Sequence, residues 1–192
     1  MSSMVMQLNE SEIIGAVQHW VSSLVVDMNL CPFAGREVMR NRVRFTVTEA
    51  ATEERLLMAL QAELELLDND ASVETTLLIH PLVLGDFPDY NQFLNYADSL
   101  LEQMQREGIY QIASFHPDYQ FEGTGPDDAE NYTNRSPYPL LHLLREESLA
   151  RAISSYPDVG AIPVRNIQLM NSMGQGKLKA LLQACYTEVG DG

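Results

Sequence analysis

Basic residues are scarce. The 192-residue chain carries 12 Lys and Arg against 27 Asp and Glu, a formal net charge of −15. A chain so acidic repels a phosphate backbone, which excludes a broad nucleic-acid interface. Cysteine is scarcer still: Cys31 and Cys185 alone. That excludes a disulfide-built secreted scaffold and fits a reducing cytosol. Apolar runs are short, Leu77-Leu78-Ile79 among them, so no segment is expected to span a bilayer. The start, MSSMVMQLNESE, lacks the basic residues and apolar core of a signal peptide. The expectation is a soluble, cytoplasmic protein. Several chemical signatures are missing too. There is no CxxC, HExxH or GxSxG, and no GxGxxG or phosphate-loop lysine.

What is present is ordinary globular composition, 45% hydrophobic and 20% charged, in a length suited to one domain over 1–192. Asn9 or Ser11 can cap a first helix, with Ile13, Val17, Trp20, Leu24 and Met28 at helical spacing. Pro32 ends it, leaving 30–37 (LCPFAGRE) as a loop. Residues 42–48 alternate as a strand, with Val43, Phe45 and Val47 on one face and Arg42 and Arg44 turned away from the core. Helices are predicted from Thr52 to Leu67 and from Asp86 to Arg106, and strands over 73–79 and 109–115. Helix is predicted again over Leu140–Glu147, then to Tyr156, over Val164–Met173 and over Lys177–Glu188. Alternating strands and helices predict an α/β fold: a small, mainly parallel sheet of at least three strands flanked by helices, with a helical C-terminal part. A ferredoxin-like α+β layout is the alternative.

Two of the predicted strands end in His-Pro, at His80-Pro81 and His116-Pro117. Ligands of parallel sheets bind beyond the carboxyl ends of the strands, and imidazole suits proton transfer and metal ligation. A strand-capping hydrogen bond is the plainer role for each. After His116 comes a long polar stretch, with 117–137 read as a functional loop. It gathers Asp118, Gly123, Thr124, Asn134 and Arg135. Gly123-Thr124-Gly125 can expose backbone N–H groups, and Arg135 offers a fork for a carboxylate or phosphate. Ser136 and Pro137 are expected to open the next helix, with His142 and Arg145 sharing a face. The plainer reading is a surface loop tied down by its own side chains. Cys31 can serve as nucleophile, metal ligand or small buried apolar residue. With His80, His116 and Asp118 or His142 it makes a chemically sensible zinc set, though the spacing is not diagnostic. The Arg36, Arg40, Arg42 and Arg44 run offers a local anion site or a solvated face.

The segments LCPFA (30–34), FHPDYQFEG (115–123) and NYTNRSPYPLLHLLRE (131–146) carry a family likeness. Through them the chain resembles the bacterial family known as domain of unknown function 1415, from the first helix to about Met173. The resemblance implies a standalone protein of about this length and supplies no catalytic roles. Side-chain chemistry alone therefore leaves three readings. In the first, an enzyme, Arg135, Asn134, Gly123, Thr124, His142 and Arg145 bind a small anionic substrate. His80 or His116 then acts as acid or base, oriented by Asp118, or the histidines and Cys31 bind a metal that activates water. The second is an anion-binding module without turnover, and the third a structural protein. Cofactor, metal, substrate and oligomeric state are left open.

Overall fold

The computed structural model describes residues 9–187. Four strands form one mixed sheet: β1 (Val43–Val47), β2 (Thr75–Ile79), β3 (Tyr110–Phe115) and β4 (Leu140–Arg145). Their order across the sheet is β1-β2-β4-β3. β1 and β2 pair in parallel through Phe45 and Leu77. β4 runs antiparallel to both its neighbours, with His142 opposite Leu77 on one side and Ala113 on the other. The sheet is thus mixed rather than mainly parallel. β2 and β3 do point the same way, but β4 separates them.

The helix expected over Leu140–Glu147 is therefore a strand up to Arg145, and Ser136-Pro137 leads into it rather than into a helix. Leu140 and Leu141 are both fully buried, because helices cover both faces of the sheet. A short leucine-rich run buried on both sides loses the period-2 signature of a strand.

One face is covered by α3 (Glu53–Asn69) and α4 (Phe87–Gln103), the two crossover helices. Leu56, Leu60, Leu64, Phe93 and Ala97 meet Leu78, Leu141 and Leu143 there. The other face carries Val43, Phe45, Leu77, Ile79 and Leu140, packed on α1 (Glu10–Trp20) and the C-terminal helices α6 (Ala161–Met173) and α7 (Gln175–Thr187). Asn9 caps α1, and Thr52 caps α3 through its hydroxyl. The first helix does not continue evenly to Asn29. Val21–Val26 widen into a π-helical turn, with Asp27 N–H bonded to Ser22 O. The 30–37 loop tightens at its end into α2 (Ala34–Met39). A short α5 (Glu146–Ser154) follows β4 directly. The 117–137 loop contains one 3-10 turn, Ala129–Thr133, which packs on α6 and α7. Among the described residues no helix is long and apolar enough to cross a membrane. The Met-rich start and Glu188, the end expected for the last helix, lie outside the described residues.

Candidate functional site

His80 and His116 follow the last residues of β2 and β3, so both leave the carboxyl edge of the sheet in the same direction. Their backbone N–H groups donate to Pro139 O (3.0 Å) and Asn134 O (3.2 Å). The NRSPYP segment therefore lies along that edge, extending β4 between its neighbours. Both imidazoles are fully buried and flank Tyr90, with ring centroids 5.8 and 5.1 Å from the tyrosine ring.

Hydrogen bonds fix the protonation of each ring. His116 Nδ1 accepts the Asp118 backbone N–H at 3.0 Å, so the proton sits on Nε2, which donates to Leu84 O at 3.0 Å. His80 Nδ1–H donates to Val83 O at 3.0 Å. His80 Nε2 is then a bare acceptor, buried and without a donor. Burial pushes His80 down to about 4 and also lowers His116. The two rings hold adjacent carbonyls of one turn, and Leu84 in that turn has φ of 60°. A branched residue in the left-handed region is strained by about 1 kcal/mol, which the two imidazole bonds help to sustain.

Asp118 orients His116 through its backbone N–H, while its carboxylate stands in an exposed residue. Arg135 is 8% exposed and is committed to its own loop. Its Nε donates to Tyr119 O (3.1 Å), its Nη2 to Pro126 O (2.7 Å), and the guanidinium lies 4.7 Å over the Tyr132 ring. The anion at the glycine turn is the protein's own: Gly125 N–H donates to the Asp128 carboxylate at 2.8 Å. Asn131 ties the same turn by accepting from Phe121 N–H and the Thr124 hydroxyl and donating to Gly125 O. Gly123 is needed there for its φ of 81°. Asn134 donates its side-chain amide to Ser114 O.

His142 and Arg145 sit three apart on a strand and so face opposite sides of the sheet, not one helix face. The Thr75 hydroxyl gives its proton to Leu143 O (2.5 Å), so His142 Nε2–H must donate to Thr75 Oγ1 at 2.7 Å. Burial pushes this ring down to about 4, although it keeps some accessible surface. Cys31 is half-buried in a loop pinned to α6, where the Asn166 amide donates to Leu30 O at 2.9 Å. Among the described residues no group of three His, Cys, Asp or Glu is placed to hold a metal. The zinc arrangement is therefore not formed.

A polar open space lies at the opposite edge of the sheet, where the parallel strands begin. A cleft of about 380 Å3 is lined by Arg42, Arg145, Arg151, Ser148, Glu74 and Glu147, among others. Arg145 donates to Leu67 O, Asp70 O and Val73 O, which close the end of α3, and lies 5.8 Å from the Tyr110 ring centroid. Arg42 pairs with Glu74 at 2.6 Å, and Arg151 with Glu147 at 2.5 Å. Arg151 and Tyr90 were not among the residues expected to matter. Tyr90 is legible as an inward position one turn before Phe93. Nothing in the sequence brings Arg42 beside Arg151.

No curated protein and no solved structure matches the chain. The family model described as "Protein of unknown function (DUF1415)" matches residues 12–180, which include both histidine turns, the whole 117–137 loop and β4. The chain belongs to the domain of unknown function 1415 family.

Proposed function

We propose that this protein binds a small anionic molecule without chemically transforming it. The observation that carries this is the cleft at the amino ends of the parallel strands, lined by Arg42, Arg145 and Arg151 on a chain of net charge −15. Arg42 is held by Glu74 and Arg145 by the carbonyls at the end of α3, so Arg151, paired only with the exposed Glu147, is the guanidinium open to an anion. A guanidinium fork suits carboxylate and phosphate oxygens, and Ser148 adds a hydroxyl in the first turn of α5. The volume suits a small metabolite rather than a macromolecule.

The acid–base alternative at His80 and His116 is weaker. A general base must present a free lone pair to its substrate. His116 spends both ring nitrogens on backbone groups, and the free nitrogen of His80 is sealed from solvent. With the Leu30 carbonyl beside Cys31 bonded to Asn166 of α6 and Arg135 bound to its own loop, these groups support a structural role.

Titration calorimetry with inorganic phosphate and with succinate tests the reading. Arg151→Ala is the variant of choice, because the Arg151 side chain is 66% exposed and its loss leaves the fold intact. Binding that weakens with salt and disappears in Arg151→Ala is expected. Absence of heat with either anion at millimolar concentration, or equal binding by the variant, overturns it.

A further inference from the structure

We infer that the anionic molecule taken by the arginine cleft is a small amino acid, with a carboxylate on Arg151 and its ammonium group on Glu147. This rests on the anion-binding reading of the same cleft and names the chemical class that fills it.

The charge balance of the lining carries the inference. Arg42, Arg145 and Arg151 share the cleft with Glu74 and Glu147. Three guanidinium groups against two carboxylates leave one positive charge in excess. The Asp68 and Asp70 carboxylates, near enough to Arg145 to feel its charge, trim that excess further. A plain dianion is therefore overcharged for this space. To reach Arg151 it must displace Glu147, and it then lies beside two carboxylates with no cation to answer them. An amino acid brings that cation with it.

The two carboxylates differ in how they stand. The Glu74 side chain is 12% exposed and pairs with Arg42 through Oε2, while its Oε1 is buried without a hydrogen-bond donor. Only one of its oxygens is answered, so this wall keeps a negative potential. Glu147 is open to solvent and pairs with Arg151 through Oε1. An exposed pair one helical turn apart is worth under about 1 kcal/mol, so a ligand can part it. An amino acid then gives each freed group a new partner. Its carboxylate replaces Glu147 on Arg151, and its ammonium replaces Arg151 on Glu147. The Ser148 hydroxyl accepts from Arg151 Nη2 at 3.1 Å, which leaves its own proton for the same carboxylate. Ala71, Gly108 and Ile109 line the rest without charge, which suits a short hydrocarbon backbone.

Titration calorimetry of the full chain with L-aspartate, L-malate and succinate tests this. The three share one dicarboxylate skeleton and differ in bearing an ammonium, a hydroxyl or a hydrogen. Aspartate is expected to bind at least about tenfold tighter than the other two, and to lose that binding in Arg151→Ala. Glu147→Gln leaves the fold intact, because that side chain is 84% exposed. It should weaken aspartate at least about tenfold and bind succinate as well as the parent or better, since Arg151 is then unpaired. A merely structural disturbance would move both ligands the same way. Equal or tighter binding of succinate or malate overturns the inference and leaves the anion-binding reading standing. So does a Glu147→Gln chain that keeps its preference for aspartate, or aspartate binding undiminished in Arg151→Ala. Absence of binding by all three, and by phosphate, overturns the reading as well.

Discussion

His116 and Leu84 are joined by one hydrogen bond, Nε2–H to carbonyl oxygen at 3.0 Å, and both residues lie beneath the surface. The other ring nitrogen holds the Asp118 N–H. One imidazole therefore clamps the turn after β2 to the turn after β3. His116→Ala removes both bonds and leaves a buried carbonyl unpaired. A loss of about 3 kcal/mol is expected in urea unfolding. A change under about 0.5 kcal/mol would show that the ring is not a clamp.

Acid should loosen the protein early. His80 and His142 fall from 6.5 to about 4 on folding, and His116 falls as well. Between these limits the unfolded chain takes up protons that the folded chain refuses. Stability is complete above pH 6.5 and declines as pH drops toward 4, on the order of 3 kcal/mol for each of the two strongly shifted rings. Chemical denaturation at a series of pH values reads this directly. A flat profile between pH 7 and 5 would contradict the neutral tautomers.

Tyr90 carries another central bridge. Its hydroxyl donates to Leu140 O at 2.7 Å and accepts Phe115 N–H at 2.9 Å, standing between β4 and β3 beyond their ladder. Tyr90→Phe keeps the ring and strands two buried backbone groups. The expected cost is about 2 kcal/mol with an unchanged urea slope.

One substitution should stabilise. Gln105 is exposed, follows the C-cap of α4 and has φ of 57°. Gly adopts that conformation without strain, so Gln105→Gly should gain about 1 kcal/mol, seen as a rise of a few degrees in Tm. A fall in Tm would show that the Gln105 side chain matters more than its backbone.

Legibility followed the patterns that local physics controls. α3 and α4 were readable because their leucines and aromatics repeat at helical spacing, and β1 because Val43, Phe45 and Val47 alternate with polar residues. Both His-Pro turns were readable as strand ends, since proline cannot extend a central ladder. LLHLLR in β4 was not, because its leucines fall on both faces, with Leu140, Leu141 and Leu143 all buried, so neither period shows, and leucine itself favours helix. That single misreading displaced His142 and Arg145 and hid the mixed character of the sheet. The site was harder still. Arg135 looked like a ligand fork because its residue type says nothing of the Tyr119 and Pro126 carbonyls that occupy it. The cleft with Arg42, Arg145 and Arg151 needs three distant segments to meet, and no spacing encodes that.

The place of β4 also sets the timing of assembly. It is synthesised last of the four strands yet sits third across the sheet, wedged between two that were made earlier. A nascent chain that has reached only Pro139 carries β2 and β3 with their facing ladders open, and the Tyr90 hydroxyl lacks its Leu140 acceptor. Such a chain holds sticky apolar borders until the ribosome delivers residues 140–145, so productive folding waits for β4 to emerge.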